Sequence, residues 1–222
     1  FLQVGEEENL RLFAEYIRIT PSQEKAEKVI RTIRRRFGEE TLRIILEALA
    51  STDSGKGQAV YQMIVFGLKG GYKGQLIDCL SQEAVIKTVA LSTTVWHEIH
   101  HFYGFLRFQE LENGVLYAKI GPKNNILTFL MPHFADRLPI ENFMVYDAVR
   151  NFFAIHPAGK QWYLLDGARV DMPLQLDLSR QEQEYQALFR QFCRTITIKE
   201  RENWELQRNM LPLRFREYMI EF

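Results

Sequence analysis

Apolar residues recur every three or four positions through the first half of the chain, then every second position, then every three or four again. Ala26, Val29, Ile30, Ile33 and Phe37 mark one helical stripe. Thr20-Pro21-Ser22 opens it, Glu24 and Glu27 sit at the positive end of its dipole, and Gly38 closes it. Leu42, Ile45, Leu46 and Leu49 resume the period as a second helix. The polar segment 51–57 predicts a loop, Tyr61, Ile64, Val65 and Leu68 a third helix, and Gly67, Gly70, Gly71 and Gly74 a turn. A long helix is predicted over 81–103, ended by Gly104. Its spacing turns Val85, Val89, Trp96 and Ile99 to the core and Lys87, Thr94, Glu98 and His101 to solvent.

From 105 the period is two. Phe105, Arg107 and Gln109 alternate with Leu106, Phe108 and Glu110, Glu112-Asn113-Gly114 makes a hairpin turn, and 115–120 is the return strand. A helix over 125–137 carries Ile126, Phe129, Leu130 and Phe134 on one side. Strands follow at 143–146, 151–156 and 161–166, the last two joined by the turn Pro157-Ala158-Gly159-Lys160. The helical period returns from Ser179 through Tyr185, Leu188, Phe189 and Phe192, and a short helix is expected over 212–220. The order predicts an α+β fold: amino-terminal helices, a central, mainly antiparallel sheet with one crossing helix, and carboxy-terminal helices. It is read as a single domain, 1–222, with a helical half (1–103), a sheet-rich middle (104–172) and a helical closure (173–222).

Composition narrows the function classes. The 222 residues hold 28 Lys plus Arg and 28 Asp plus Glu, so a whole-surface attraction to nucleic acid or anionic lipid is absent and any such binding needs a local patch. No run approaches the roughly 18 apolar residues of a membrane span. Cys79 and Cys193 lie far apart and read as reduced, cytosolic thiols; two cannot supply the four thiolates of an iron–sulfur cluster, and no cofactor is expected. The chain opens at Phe1 rather than Met, which points to residues missing upstream; no second feature supports a cleaved signal peptide.

Two strings match known chemistry. His97-Glu98-Ile99-His100-His101 is an H-E-x-x-H sequence on a predicted helix, with His97 and His101 spaced to share a zinc ion and Glu98 to activate a metal-bound water. Arg107 stands where a longer pattern wants a third ligand, and a guanidinium cannot ligate. The other reading is a helix with polar residues on its exposed side. Ser54-Gly55-Lys56-Gly57 resembles a phosphate loop but lacks the hydroxyl residue after the lysine and the preceding strand. The carboxy-terminal arginines, interleaved with Phe192, Trp204, Phe215 and Tyr218, suit phosphates and stacked bases. Intervening glutamates make a solvated ion-pair helix an equal account.

Several stretches in order carry a resemblance: Pro21-Ser22-Gln23-Glu24-Lys25-Ala26; Glu98-Ile99-His100 through Gly104-Phe105-Leu106-Arg107-Phe108; Pro132-His133-Phe134-Ala135-Asp136-Arg137; Asp147 with Arg150; and Ile196 through Lys199-Glu200-Arg201, Asn203, Gln207 and Pro212-Leu213-Arg214-Phe215. With them the chain is similar to a bacterial family labelled "probable DNA metabolism protein", found beside a radical-SAM protein related to DNA-repair lyases and fused to some uracil-DNA-glycosylase-like proteins. The resemblance implies a cytoplasmic role in DNA repair or modification with a radical-SAM protein as partner; from the residues, single-stranded or damaged DNA is the expected nucleic-acid partner.

The expected nucleic-acid face is built from His100, Arg107, His133, Arg137 and Arg150 around the first hairpin and its helix, joined by Lys199, Arg201, Asn203, Gln207 and Arg214. A core histidine at 133 and a structural Asp147–Arg150 pair are the competing accounts. Two other functions stay open: a zinc-dependent hydrolase on His97, Glu98 and His101, and a protein-interaction scaffold without nucleic-acid contact.

Overall fold

Ser22 accepts a hydrogen bond from the Lys25 amide at 3.4 Å and so caps α1 (Gln23–Ala50), as the Thr-Pro-Ser start signal predicts. The computed structural model describes residues 15, 17–72, 74–169, 176–196 and 198–221. They form two compact units, the first ending at His97 and the second beginning at Glu98. The division falls inside α3 (Glu83–Phe105), a few residues before the boundary read from the change of period.

In the first unit, Gly38 breaks α1 with φ 87° and ψ 169°, so two helical rods meet at a kink. Helix α2 (Lys56–Lys69) and a 3₁₀ turn (Leu76–Asp78) follow. Ile33, Leu42, Ile45, Ala48, Val60, Met63, Leu76 and Val85 form the core. Gly67 lies inside α2 rather than in the expected turn: a Cβ there would sit 2.7 Å from Leu76 and 2.8 Å from Phe37, so the glycine admits two core side chains. The turn is made by Gly70, Gly71 and Gly74, all at positive φ.

The second unit holds one five-stranded sheet in the order β1 (Gln109–Glu110), β2 (Leu116–Ile120), β3 (Phe143–Asp147), β4 (Phe152–His156), β5 (Tyr163–Asp166). Three neighbouring pairs are antiparallel. The β2–β3 pair is parallel, in register Leu116 to Phe143, and α4 (Leu127–Arg137) is the crossover such a pair requires. The α+β architecture with one crossing helix is therefore present. Strand β1 is shorter than predicted: α3 runs on past Gly104 to Phe105, and residues 106–108 form neither helix nor strand before the ladder begins at Gln109. Phe143 and Val145 are buried on β3, and Asp147 continues the same alternation as a buried carboxylate.

Helix α5 (Arg180–Ile196) opens where Ser179 Oγ accepts from the Glu182 amide at 3.0 Å. A 3₁₀ turn (Lys199–Arg201), α6 (Trp204–Met210) and the single turn α7 (Leu213–Arg216) follow, α7 ending well short of the expected 212–220 helix. Together, α7 and the residues after it, 213–221, strap the second unit. Phe215 is buried edge-on to Phe102, the Tyr218 ring lies against Gly121, and the Ile220 carbonyl accepts from Arg190 Nε at 2.9 Å. Glu221 pairs with Arg107 at 2.8 Å.

Candidate functional site

Glu98 lies on α3, where the helical period predicted solvent, yet it is only 3% exposed. Its Oε1 accepts from the Lys123 amide at 2.9 Å, and its Oε2 from the Asn124 amide at 2.9 Å and Asn124 Nδ2 at 2.7 Å. Arg214 Nη1 stands 3.2 Å from Oε1. Burying a carboxylate is costly unless donors of this kind satisfy its oxygens. Both oxygens of the group that would activate a zinc-bound water are thus bound to protein donors. His101 stacks on Phe105 at 5.7 Å and meets Phe215 edge-on, while His97 packs on Trp96 at 5.4 Å. Among the described residues no group of three or more His, Cys, Asp or Glu is placed to hold a metal ion.

The same loop is gripped from its other side. Arg150 Nη1 donates to the Pro122 carbonyl at 3.1 Å, and Nη2 to the Lys123 carbonyl. Asp147 holds Arg150 at 3.1 Å and accepts from the amides of Val149 and Arg150. Arg150 and Arg214, two of the expected phosphate clamps, are thus built into a chain of contacts from Arg214 through Glu98 and loop 122–124 to Asp147. For Asp147–Arg150 the structural account is the observed one.

His100 and His133, separated by a strand pair in sequence, are brought together. Tyr103 lies between them, its ring 5.6 Å from His100 and stacked 4.1 Å from His133 at 27°. The Tyr103 hydroxyl reaches the Phe129 carbonyl at 3.4 Å and fixes the ring against α4. His133 also meets Phe134 edge-on, so its ring is half-buried among aromatics rather than enclosed in the core. Arg137, exposed, follows His133 by four residues on α4, on the same helical face. His100, Tyr103, His133 and Arg137 form a strip of rings ended by a cation. Tyr103 was not among the predicted site residues; its i,i+3 spacing from His100 was the available signal.

The carboxy-terminal set is divided. Arg201, Asn203 and Gln207 line a groove of about 800 Å³ together with Ile198, Trp204 and Met210. Asn203 is the cap of α6, accepting from the Leu206 amide at 2.9 Å, and Gln207 Oε1 is buried with no hydrogen-bond partner among the described residues. The Lys199 side chain lies outside the described residues. Of the expected carboxy-terminal residues, Arg214 meets the first set through Glu98, while Arg201, Asn203 and Gln207 belong to the separate groove.

Arg107 opens onto a second, smaller concavity of about 290 Å³ with Tyr117, Lys119, Arg190 and Tyr218. Tyr117 and Lys119 alternate onto one face of β2, and the hairpin register pairs Tyr117 with Gln109. Burial, with Tyr146 as the lesser cause, pushes the Tyr117 phenol up to about 12. The Tyr218 phenol is raised by burial first, then by Glu217 and Asp147. The sequence reading named Arg107 and missed Tyr117 and Lys119, whose signal was the two-residue period of their strand.

A model of the family described as "Domain of unknown function (DUF4130)" matches residues 54–221. No curated protein and no solved structure matches the chain. Among the described residues no helix is long and apolar enough to cross a membrane.

Proposed function

The chain belongs to the DUF4130 family, and from that premise we propose that it is a nucleic-acid-binding accessory protein of DNA repair or modification, working in the cytoplasm beside a radical-SAM enzyme. The ring strip carries this reading. Tyr103 and His133 stack on each other and His100 is tilted 55° to Tyr103; the outer ring faces, with Arg137 one turn beyond, suit the bases of a single strand and a neighbouring phosphate. Stacking on such a platform contributes about 1–3 kcal/mol per base and tolerates any sequence. Arg201, exposed in the separate carboxy-terminal groove, offers a further cation for nucleic-acid phosphate. The similarity to the family labelled "probable DNA metabolism protein" supports the partner: the radical chemistry belongs to the neighbouring enzyme, and this chain presents the DNA. Fluorescence anisotropy with a labelled single-stranded oligonucleotide tests it. His133→Ala and Arg137→Ala should each weaken binding about 5- to 10-fold, and Arg201→Ala less. Binding untouched by all three substitutions overturns the reading.

A second reading, a protein-interaction scaffold without nucleic-acid contact, has its own observation. Helix α5 turns a polar side inward, where Gln186 is buried and Glu182 Oε2 accepts from the Glu110 amide at 3.2 Å. Its apolar residues point out: Tyr185 is 62% exposed, Leu188 64% and Phe192 55%. An exposed apolar stripe of this kind marks protein contact. Co-purification with the radical-SAM neighbour that survives His133→Ala but is lost in the Leu188→Glu, Phe192→Glu double variant favours the scaffold.

A further inference from the structure

The concavity around Arg107 and Lys119 has a chemistry of its own. Its floor is the β1–β2 hairpin, one wall is α5 through Gln186 and Arg190, and the other is the strap through Glu217 and Tyr218. All belong to the second unit.

Donors dominate. Arg107 spends Nη1 on the Gly104 and Leu106 carbonyls and Nη2 on Glu221, and Arg190 spends Nε on Ile220 and Nη2 on Gln186. Arg107 Nε, Arg190 Nη1, the Lys119 ammonium and the Tyr117 phenol make no hydrogen bond to a described residue, whereas the Tyr218 hydroxyl is packed over Gly121. The Tyr117 phenol is protonated at neutral pH, as any tyrosine is, and so can donate. Three cations thus stand against Glu217 on the lining and Glu221 behind Arg107.

We propose that this cleft binds a phosphomonoester carried on a body no larger than a mononucleotide. A phosphomonoester brings about −1.5 to −2 charge at neutral pH and three acceptor oxygens, whereas an internal phosphodiester brings one charge. The open donors stand on the hairpin floor and on the α5 wall, which suits a group whose oxygens diverge. The volume of about 290 Å³ lies at the small end of ligand pockets, enough for one nucleotide and not for a length of strand. Two sources carry this chemistry, a free nucleotide and the phosphorylated end of a strand.

Calorimetric titration of the whole protein tests the site. Deoxyadenosine 5′-monophosphate should bind at least tenfold more tightly than deoxyadenosine. Lys119→Glu, on an exposed side chain whose replacement spares the fold, should erase that preference, and Tyr117→Phe should reduce it several-fold. A short oligonucleotide with a 5′-phosphate that binds more tightly than the mononucleotide assigns the site to a strand end. The reverse order assigns it to a free nucleotide, and either order supports the proposal. Equal affinities with and without the phosphate, or a preference that survives Lys119→Glu, overturn it. His133→Ala leaves the phosphate preference intact, so failure of the ring strip and failure of the cleft are read separately.

Discussion

A buried carboxylate that accepts three hydrogen bonds and faces an arginine has a cost of removal set by the donors it leaves behind. Replacing Glu98 by alanine takes the acceptor away from two backbone amides and from Asn124 Nδ2 and removes the carboxylate that Arg214 faces. Glu98→Ala is therefore expected to destabilise the protein by about 2–3 kcal/mol, measured by urea unfolding. Arg214→Ala should cost less, because Glu98 keeps its amides. Tyr117 provides a pH signature. Its folded-state ionisation near pH 12 lies above the ordinary 10, so between those values the unfolded chain has released a proton that the folded protein still holds. The stability contribution is complete below pH 10 and is lost as pH rises through 12. The melting temperature should fall over that interval, and fall less steeply in Tyr117→Phe.

At the scale of elements, Gly38 separates two helical rods with a backbone conformation essentially closed to other residues, while the space around its missing Cβ is empty. Gly38→Ala should cost about 1–3 kcal/mol through strain alone, which calorimetry would show as a lowered melting temperature. Such breakers were legible in the sequence, as were β3, β4 and β5, because apolar alternation and the Pro157–Lys160 turn act locally. Strand β1 was overread because alternation between Phe105 and Glu110 says nothing about where a preceding helix releases the chain. Glu98 was misplaced for a related reason. Its partners lie 25 and more residues away, and helical periodicity sees only a charged residue beside apolar neighbours. The pairing of His100 with His133 needed α3 and α4 to pack, so residue types alone suggested the set and not its geometry.

Over the whole molecule, 28 positive and 28 negative side chains cancel, so no long-range field draws a polyanion in. Strand binding through Arg137 and Arg201 should accordingly show a shallow salt dependence. Each neutralised phosphate of a single strand contributes about −0.7 to the slope of log K against log salt, which gives an expected slope of about −1 to −2. Anisotropy titrations across salt concentrations check it, and a slope beyond about −4 points to cations other than these two.

The strap over residues 213–221 has a consequence for how the chain is made. Unit one contains all its core residues by position 97, so a nascent polypeptide can close it while the remainder is still being translated. Unit two cannot be sealed until Arg214, Phe215, Tyr218 and Glu221 have cleared the ribosome, because each supplies a contact to residues made about 90 or more positions earlier. Chains stalled before Arg214 should resist protease across the first unit and be cut within the second. Maturation is vectorial, and the hairpin cleft acquires its strap wall only after its floor and its α5 wall have been made.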